Sequence, residues 1–230
     1  MEPAANLPPG LPRQRPAGRR ARRQAETRAR ILRAALDLFA KQGFFSTTVE
    51  QITEAADVGK GTFFNYFPSK EHVLAGFGEM QIAKVQGALE ETRRGETSTR
   101  QIWHRLLREL GREPARSPSL LRGLILVNLS SDEVSSVTRQ NLTQGRQELG
   151  YLIAEGQKRG DIRSDLKPSQ VARLFQQTLL GTMLLWALDP SAPIPSWLDT
   201  TFEFFWSSVA PPGEAKTKYR PIKSQGRLVP

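Results

Sequence analysis

Apolar side chains recur three and four positions apart through most of residues 26–210, the spacing of a helical face. Ile31, Ala35, Leu38 and Phe39 share one side of a first predicted helix over residues 26–41, closed by Gly43. Val49, Ile52, Ala55 and Ala56 mark a short second helix, with Thr47 or Thr48 as its cap and Glu50 where a negative charge suits the helix dipole. Asp57-Val58-Gly59 breaks the run, and Gly59 is expected to supply the backbone freedom of a tight turn. A third helix over residues 60–67 stops at Pro68, because the residue before a proline is pushed out of the helical region. Ser69 is expected to cap a long fourth helix over residues 70–92, with Val73, Leu74, Phe77, Ile82 and Val85 inward. Residues 93–99 read as a loop. A fifth helix over residues 100–113 carries Trp103, Leu106, Leu107 and Leu110 on one side and ends at Pro114. Ser117-Pro118 opens the apolar sixth helix with Leu124, Ile125 and Val127. Ser131-Asp132-Glu133 opens a seventh that Gly160 ends, with Val134, Val137, Leu149 and Ile153 inward. Gly145 and Gly150 inside it mark either a close neighbour or a bend. An eighth helix starts at Pro168, and prolines 190, 193 and 195 turn the chain into a ninth over residues 196–210. The fold class is all-α, with about nine helices.

Residues 48–70 carry the most specific chemistry. Two short helices around a three-residue turn have the layout of a helix-turn-helix. Phe63 and Phe67 lie four apart and share the inner face. Lys60, Gly61, Thr62, Phe64 and Asn65 are left outside, crowded toward the N-terminus, the end that a recognition helix presents to the major groove. Thr62 and Asn65 can hydrogen-bond base edges or phosphate, Gly61 permits close backbone approach, and Phe64 offers apolar contact to a thymine methyl. Tyr66 and Lys70 are placed to hold phosphates, which sets register without reading sequence. Taken alone, the stretch also fits an amphipathic hairpin of another bundle, with its aromatics as simple core.

The upstream residues add an ordered pattern: Thr27, Arg30-Ile31, Ala34-Ala35, Leu38-Phe39, Gly43-Phe44, Thr47-Thr48, Ile52, Ala55-Ala56, Val58, Lys60-Gly61-Thr62, Tyr66-Phe67 and Lys70. Over about 45 residues this resembles the TetR family of bacterial transcriptional regulators. Two positions depart from the family: Gly59 stands where serine is usual, removing a side-chain cap, and Phe64 stands where tyrosine is frequent, removing a hydroxyl. The resemblance implies a homodimer whose N-terminal helix-turn-helix domain binds double-stranded DNA and whose C-terminal helical domain binds a small-molecule effector and dimerises. Thr48, Lys60, Gly61, Thr62, Phe64, Asn65, Tyr66 and Lys70 are the expected DNA contacts, supported by Arg22 and Arg23. The implied pocket falls on the fifth, sixth and eighth helices, where Trp103, His104, Leu107, Asn128, Phe175 and Gln176 supply aromatics and a few polar groups. Leu174, Thr178, Gly181, Thr182 and Leu185 form a mixed small and branched face on helix 8. Trp197, Phe202, Phe204, Phe205 and Trp206 spread around helix 9, which must therefore be covered on most sides. Pairing of both helices with a second copy would cover them, as the family's four-helix interface implies.

The net charge of +10 is unevenly distributed. Residues 1–24 carry +5, residues 25–70 carry +1, residues 71–210 are neutral and residues 211–230 carry +4. Proline, glycine and arginine dominate both ends, so 1–24 is expected to be a disordered basic arm and 211–230 a disordered basic tail. They flank a DNA-binding domain over 25–70 and a ligand-binding and dimerisation domain over 71–210. Such an arm adds affinity by counterion release, and arginine suits a narrow minor groove. Cysteine is absent, excluding disulfides and thiolate metal sites. The N-terminus lacks the apolar core of a secretory signal, and the longest apolar run, 179–188, is too short for a bilayer, so a cytoplasmic location is expected. His72 and His104 have no metal-ligand spacing, and Gly59-Lys60-Gly61-Thr62 lacks the upstream glycine of a phosphate loop. No enzyme, cofactor or metal is expected. The function expected is a ligand-released repressor on a palindromic operator. The alternatives are a structural DNA-associated protein, of the nucleoid or cell-division kind, and a transcriptional activator.

Overall fold

The computed structural model describes residues 18–212; the start of the expected arm, 1–17, and the tail beyond residue 212 lie outside the described residues. The described residues form nine α-helices and no strand: α1 Arg19–Gln42, α2 Val49–Ala55, α3 Lys60–Tyr66, α4 Lys70–Arg94, α5 Thr99–Arg112, α6 Pro118–Ser130, α7 Asp132–Lys158, α8 Pro168–Leu188 and α9 Ile194–Val209. A 3-10 turn at Pro114–Arg116 joins α5 to α6.

The start of α1 differs from the sequence expectation. Helix begins at Arg19, so residues 19–24 are not an extended arm, and Arg22 pairs with Glu26 one turn on at 2.9 Å. The reason is local. The breakers stop at Pro16 and Gly18, and the Arg, Ala, Gln and Glu that follow are strong helix formers. Charge concealed a helical start.

Two apolar clusters organise the molecule. The head cluster holds Ile31, Leu36 and Phe39 of α1, Ile52 of α2, Phe63 and Phe67 around α3, and Val73 and Leu74 of α4. Leu120 and Val127 of α6 and Val134 of α7 also enter it, so the head does not end at residue 70. The body cluster joins α5, α7, α8 and α9 around fully buried Trp103 and Leu107, with Phe175 and Phe202 beside them. Leu124 touches both clusters. Between the two, α4 lies along α7 in the most extensive helix pair of the chain.

Helix α7 is unbroken through both of its mid-helix glycines: the nearest atom to a Cβ built on Gly145 lies at 3.8 Å, and none lies within 4 Å at Gly150. On α9, the chain's own core covers Phe202, Phe205 and Trp206, so fewer aromatics remain for a partner than the sequence suggests. Phe204 stays 74% exposed. No helix among the described residues is long and apolar enough to cross a membrane.

Candidate nucleic-acid interface

The interface is built from α2, α3 and the loop before them. Thr48 caps α2 through a capping box: Gln51 N–H donates to Thr48 Oγ1 at 3.2 Å, and Thr48 N–H donates to Gln51 Oε1 at 3.0 Å. A threonine followed three residues later by glutamine is the sequence signal of this box, and it selects Thr48 over Thr47. Thr47 is instead buried, donating to Gly43 O at 2.8 Å.

The turn between α2 and α3 is made differently from the sequence expectation. Gly59 has an ordinary extended conformation, φ −73° and ψ 156°. The left-handed residue is Asp57, at φ 50°. Short polar side chains tolerate this region better than most, so aspartate makes the bend and glycine merely precedes α3.

Phe63 and Phe67 anchor α3, their rings 5.9 Å apart between centroids and both fully buried. That anchorage sets the outer face. Lys60, Gly61, Phe64 and Asn65 are exposed, while Thr62 and Tyr66 are half-buried. Phe64 is 52% exposed, an uncommon position for a large apolar ring, and stands edge-on to Phe63 at 5.4 Å. No heavy atom lies within 4 Å of a Cβ built on Gly61, leaving its surface open. Lys60 Nζ meets Glu50 Oε1 at 2.6 Å. The hydrogen bond from Lys60 holds the Glu50 carboxyl below the ordinary glutamate range.

Lys70 reaches back to the loop before α2. Its ammonium donates to Phe44 O at 3.0 Å and Thr47 O at 2.8 Å, and lies 4.4 Å from the centre of the Phe44 ring. Two of its three donors are used in this way. Ser69 makes no side-chain cap for α4; its hydroxyl donates to Glu71 Oε2 at 2.6 Å and meets His72 Nδ1 at 2.9 Å. The hydroxyl is turned to donate to the carboxylate two residues on, a charge-assisted bond, rather than to accept from the helix N–H groups. Arg22 and Arg23 are exposed on the first turns of α1, so any DNA contact they make comes from a helix.

The six expected pocket residues do not line one cavity. Trp103, Leu107 and Phe175 are core: the Trp103 ring stands 4.8 Å from Phe175 and 5.4 Å from Phe205. His104 pairs outward with Asp199 at 3.0 Å, and Gln176 donates to Leu142 O at 2.8 Å. Asn128 folds back on its own helix, donating to Leu124 O at 2.8 Å. Sequence spacing places residues on an element but does not decide whether a gap is left between elements. Even so, Trp103 Nε1 and Asn128 Oδ1 are two of the three buried side-chain polar atoms without a hydrogen-bond partner among the described residues. A hollow of about 860 Å³ lies between α7 and α8, beside Arg146, Tyr151 and Arg173.

Residues 31–76 match the sequence profile of the bacterial regulatory proteins of the tetR family. The transcriptional regulator TcmR of Streptomyces glaucescens is 52% identical over 56 residues, covering 24% of this chain and 25% of that protein. The repressor DhaR of Mycobacterium sp. strain GP1 is 27% identical over 183 residues, 76% of this chain and 90% of that protein. Among solved structures, the TetR-family repressor FadR of Thermus thermophilus, in complex with lauroyl-CoA, superposes with a TM-score of 0.56 at 27% identity, covering 86% of this chain and all of that one. The family profile lies in the head, and similarity at lower identity covers three quarters or more of the chain. Residues 31–76 thus form a head of the tetR family of bacterial regulatory proteins, and most of the chain is similar to transcriptional repressors such as DhaR and the TetR-family FadR.

Proposed function

We propose that this protein is a dimeric repressor that binds a palindromic operator and is released by a small apolar effector. The observation carrying this reading is the outer face of α3: a buried Phe63–Phe67 anchor holds Lys60, Gly61, Thr62, Phe64 and Asn65 outward, a donor-rich surface with one exposed ring. Two such helices, about 34 Å apart in a dimer, would enter successive major grooves. Thr62 and Asn65 then read base edges, Phe64 meets a thymine methyl, and Thr48 and Tyr66 hold phosphates. Exposed Arg19, Arg20 and Arg23 at the start of α1 strengthen binding through counterion release.

Dimerisation through α8 and α9 is supported by what these helices leave uncovered. Leu174, Leu185 and Leu188 on α8 and Phe204 on α9 are each at least half exposed. No atom lies within 4 Å of a Cβ built on Gly181, so a second helix could approach closely along that face. An effector site in the body is supported by the aromatic cluster around Trp103 and its unpartnered indole N–H, a lining that favours an apolar molecule carrying one acceptor. FadR of Thermus thermophilus, similar over 86% of this chain, is a repressor found in complex with lauroyl-CoA, which supports an effector of acyl type. Effector binding acts only through unequal affinity for two head arrangements.

The decisive experiment is selection of bound fragments from the source genome with the purified protein. A few palindromic sites beside promoters support the repressor. Hundreds of dispersed sites unrelated to promoters would replace it with a structural DNA-associated protein.

A further inference from the structure

Helix α1 carries its charges in an order that works against its own stability. Arginine stands at 19, 20, 22 and 23, the first turn holds no acidic residue, and Gly18 gives no side-chain cap. Cations at this end oppose the helix dipole. Arg19 with Arg23, and Arg30 with Arg33, are like-charge neighbours one turn apart, which also disfavours the helix. Arg19, Arg23, Arg30 and Arg33 fall on one side of α1, opposite the buried Leu32, Ala35 and Phe39. All four are exposed, and none has an ion-pair partner among the described residues. The two carboxylates on that side are already engaged, Glu26 by Arg22 at 2.9 Å and Asp37 by Arg116 at 2.6 Å. Arg28, on the inner side, is used structurally instead: it pairs with Glu79 at 2.9 Å and lies 5.1 Å from the Phe67 ring.

We propose that this stripe is a second DNA surface, which binds the phosphates of duplex flanking the operator. This rests on the DNA-binding reading above. Helices α1 and α3 turn their inner sides to the same core, through Leu32, Ala35 and Phe39 on one and Phe63 on the other. Their outer sides therefore point in different directions, and the stripe does not share the groove that α3 reads. From Arg19 to Arg33 the helix rises about 21 Å, the length of about six base pairs. Each arginine that meets a phosphate releases a counterion, which offsets the unfavourable placement of these cations in the free helix. Flanking duplex is the partner because α3 already holds it beside the head, where its effective concentration is high.

The test measures full-length wild type and the double variant Arg30→Gln, Arg33→Gln by fluorescence anisotropy on an operator recovered by the fragment selection. One duplex is trimmed to the palindrome, and the other carries about 20 further base pairs on each side, with salt varied from about 50 to 300 mM. Wild type should bind the longer duplex about tenfold more tightly at about 100 mM salt, with a steeper salt dependence. The double variant should lose most of that gain and of the added slope, yet bind the short duplex as wild type does. Glutamine is a good helix former and both positions are exposed, so the melting temperature should not change. Arg30→Lys with Arg33→Lys keeps the charge and should keep the gain on the longer duplex. An equal loss on both duplexes would overturn the proposal, because the arginines would then act within the operator or on the fold. Equal binding of wild type to both lengths would reduce the stripe to a solvated face. Capture of a second, unlinked duplex without any effect of length would overturn the assignment to flanking DNA. Failure of wild type to bind the recovered operator would instead overturn the DNA-binding reading itself.

Discussion

Asp57 and Glu50 show how much of the recognition surface is decided by single side chains. Asp57 occupies the left-handed region at φ 50°, where a Cβ costs about 1 kcal/mol. Asp57→Gly is expected to stabilise the head by that amount, read as a higher urea midpoint. Glu50 presents a negative charge beside the DNA-facing surface and holds Lys60 at 2.6 Å. Glu50→Gln is expected to strengthen operator binding roughly two- to fivefold at neutral pH, by freeing Lys60 and removing a repulsive charge. The sign of the pH dependence follows from the lowered carboxyl pKa. The pair is present above the usual glutamate value of about 4.3 and is lost as pH falls through the lowered value, so the gain shrinks toward acid. A gain independent of pH would show that Glu50 acts by packing. Thr62→Ala and Asn65→Ala should relax sequence preference, measured as the ratio of operator to random-duplex affinity; equal losses on both duplexes would remove them as base readers.

At the scale of the element, the long α4 runs from the head into the body, where it meets α7 at a tight joint. A Cβ on Gly78 would lie 2.5 Å from Asn141 Nδ2 and 2.9 Å from its Cβ, while Asn141 donates to Ala75 O at 3.0 Å. Gly78→Ala must therefore expel the Asn141 side chain from the α4–α7 contact. The expected cost is about 1–3 kcal/mol in thermal or urea unfolding, and an unchanged midpoint would show the joint to be loose. Two further links run between head and body. His72 Nε2 meets Glu133 Oε1 of α7 at 2.9 Å, and Arg116 meets Asp37 of α1 at 2.6 Å. The periodicity of α4 was legible, with Val73, Leu74, Ile82 and Val85 all buried. Its joint was not, because Gly78 and Asn141 are 63 positions apart and nothing local marks them as neighbours.

At the scale of the molecule, the head and body share residues rather than meeting at a linker: α6 sends Leu120 and Val127 into the head core and Leu121 into the body core. Effector-driven movement of α6 would thus reach the head directly. The outer faces of α8 and α9 are tested at this scale. Leu185→Glu or Phe204→Glu places a charge on an already exposed position, so each chain should fold as before yet sediment as a monomer. A dimer that survives both changes would place the interface elsewhere.

What could be read without coordinates is what depends on neighbours within a few residues. Helical faces, the Ser117-Pro118 start, the Pro68 stop and the outward N-terminal face of α3 all follow from local sterics, capping and the 3.6-residue period. The ordered head motif also carried the resemblance that the family profile over residues 31–76 reports. The beginning of α1 was local too, and was obscured only because arginine serves both helices and disordered tails. Other features needed the tertiary structure because they depend on what lies opposite. Lys70 turns inward because the loop brings two carbonyls within reach. Trp103 and Phe175 become core because Phe205 closes on them. Phe204 remains outside because α9 can turn only one face toward its own chain. A side chain's role is set by the free energy of its alternatives, and those alternatives are supplied by residues remote in sequence.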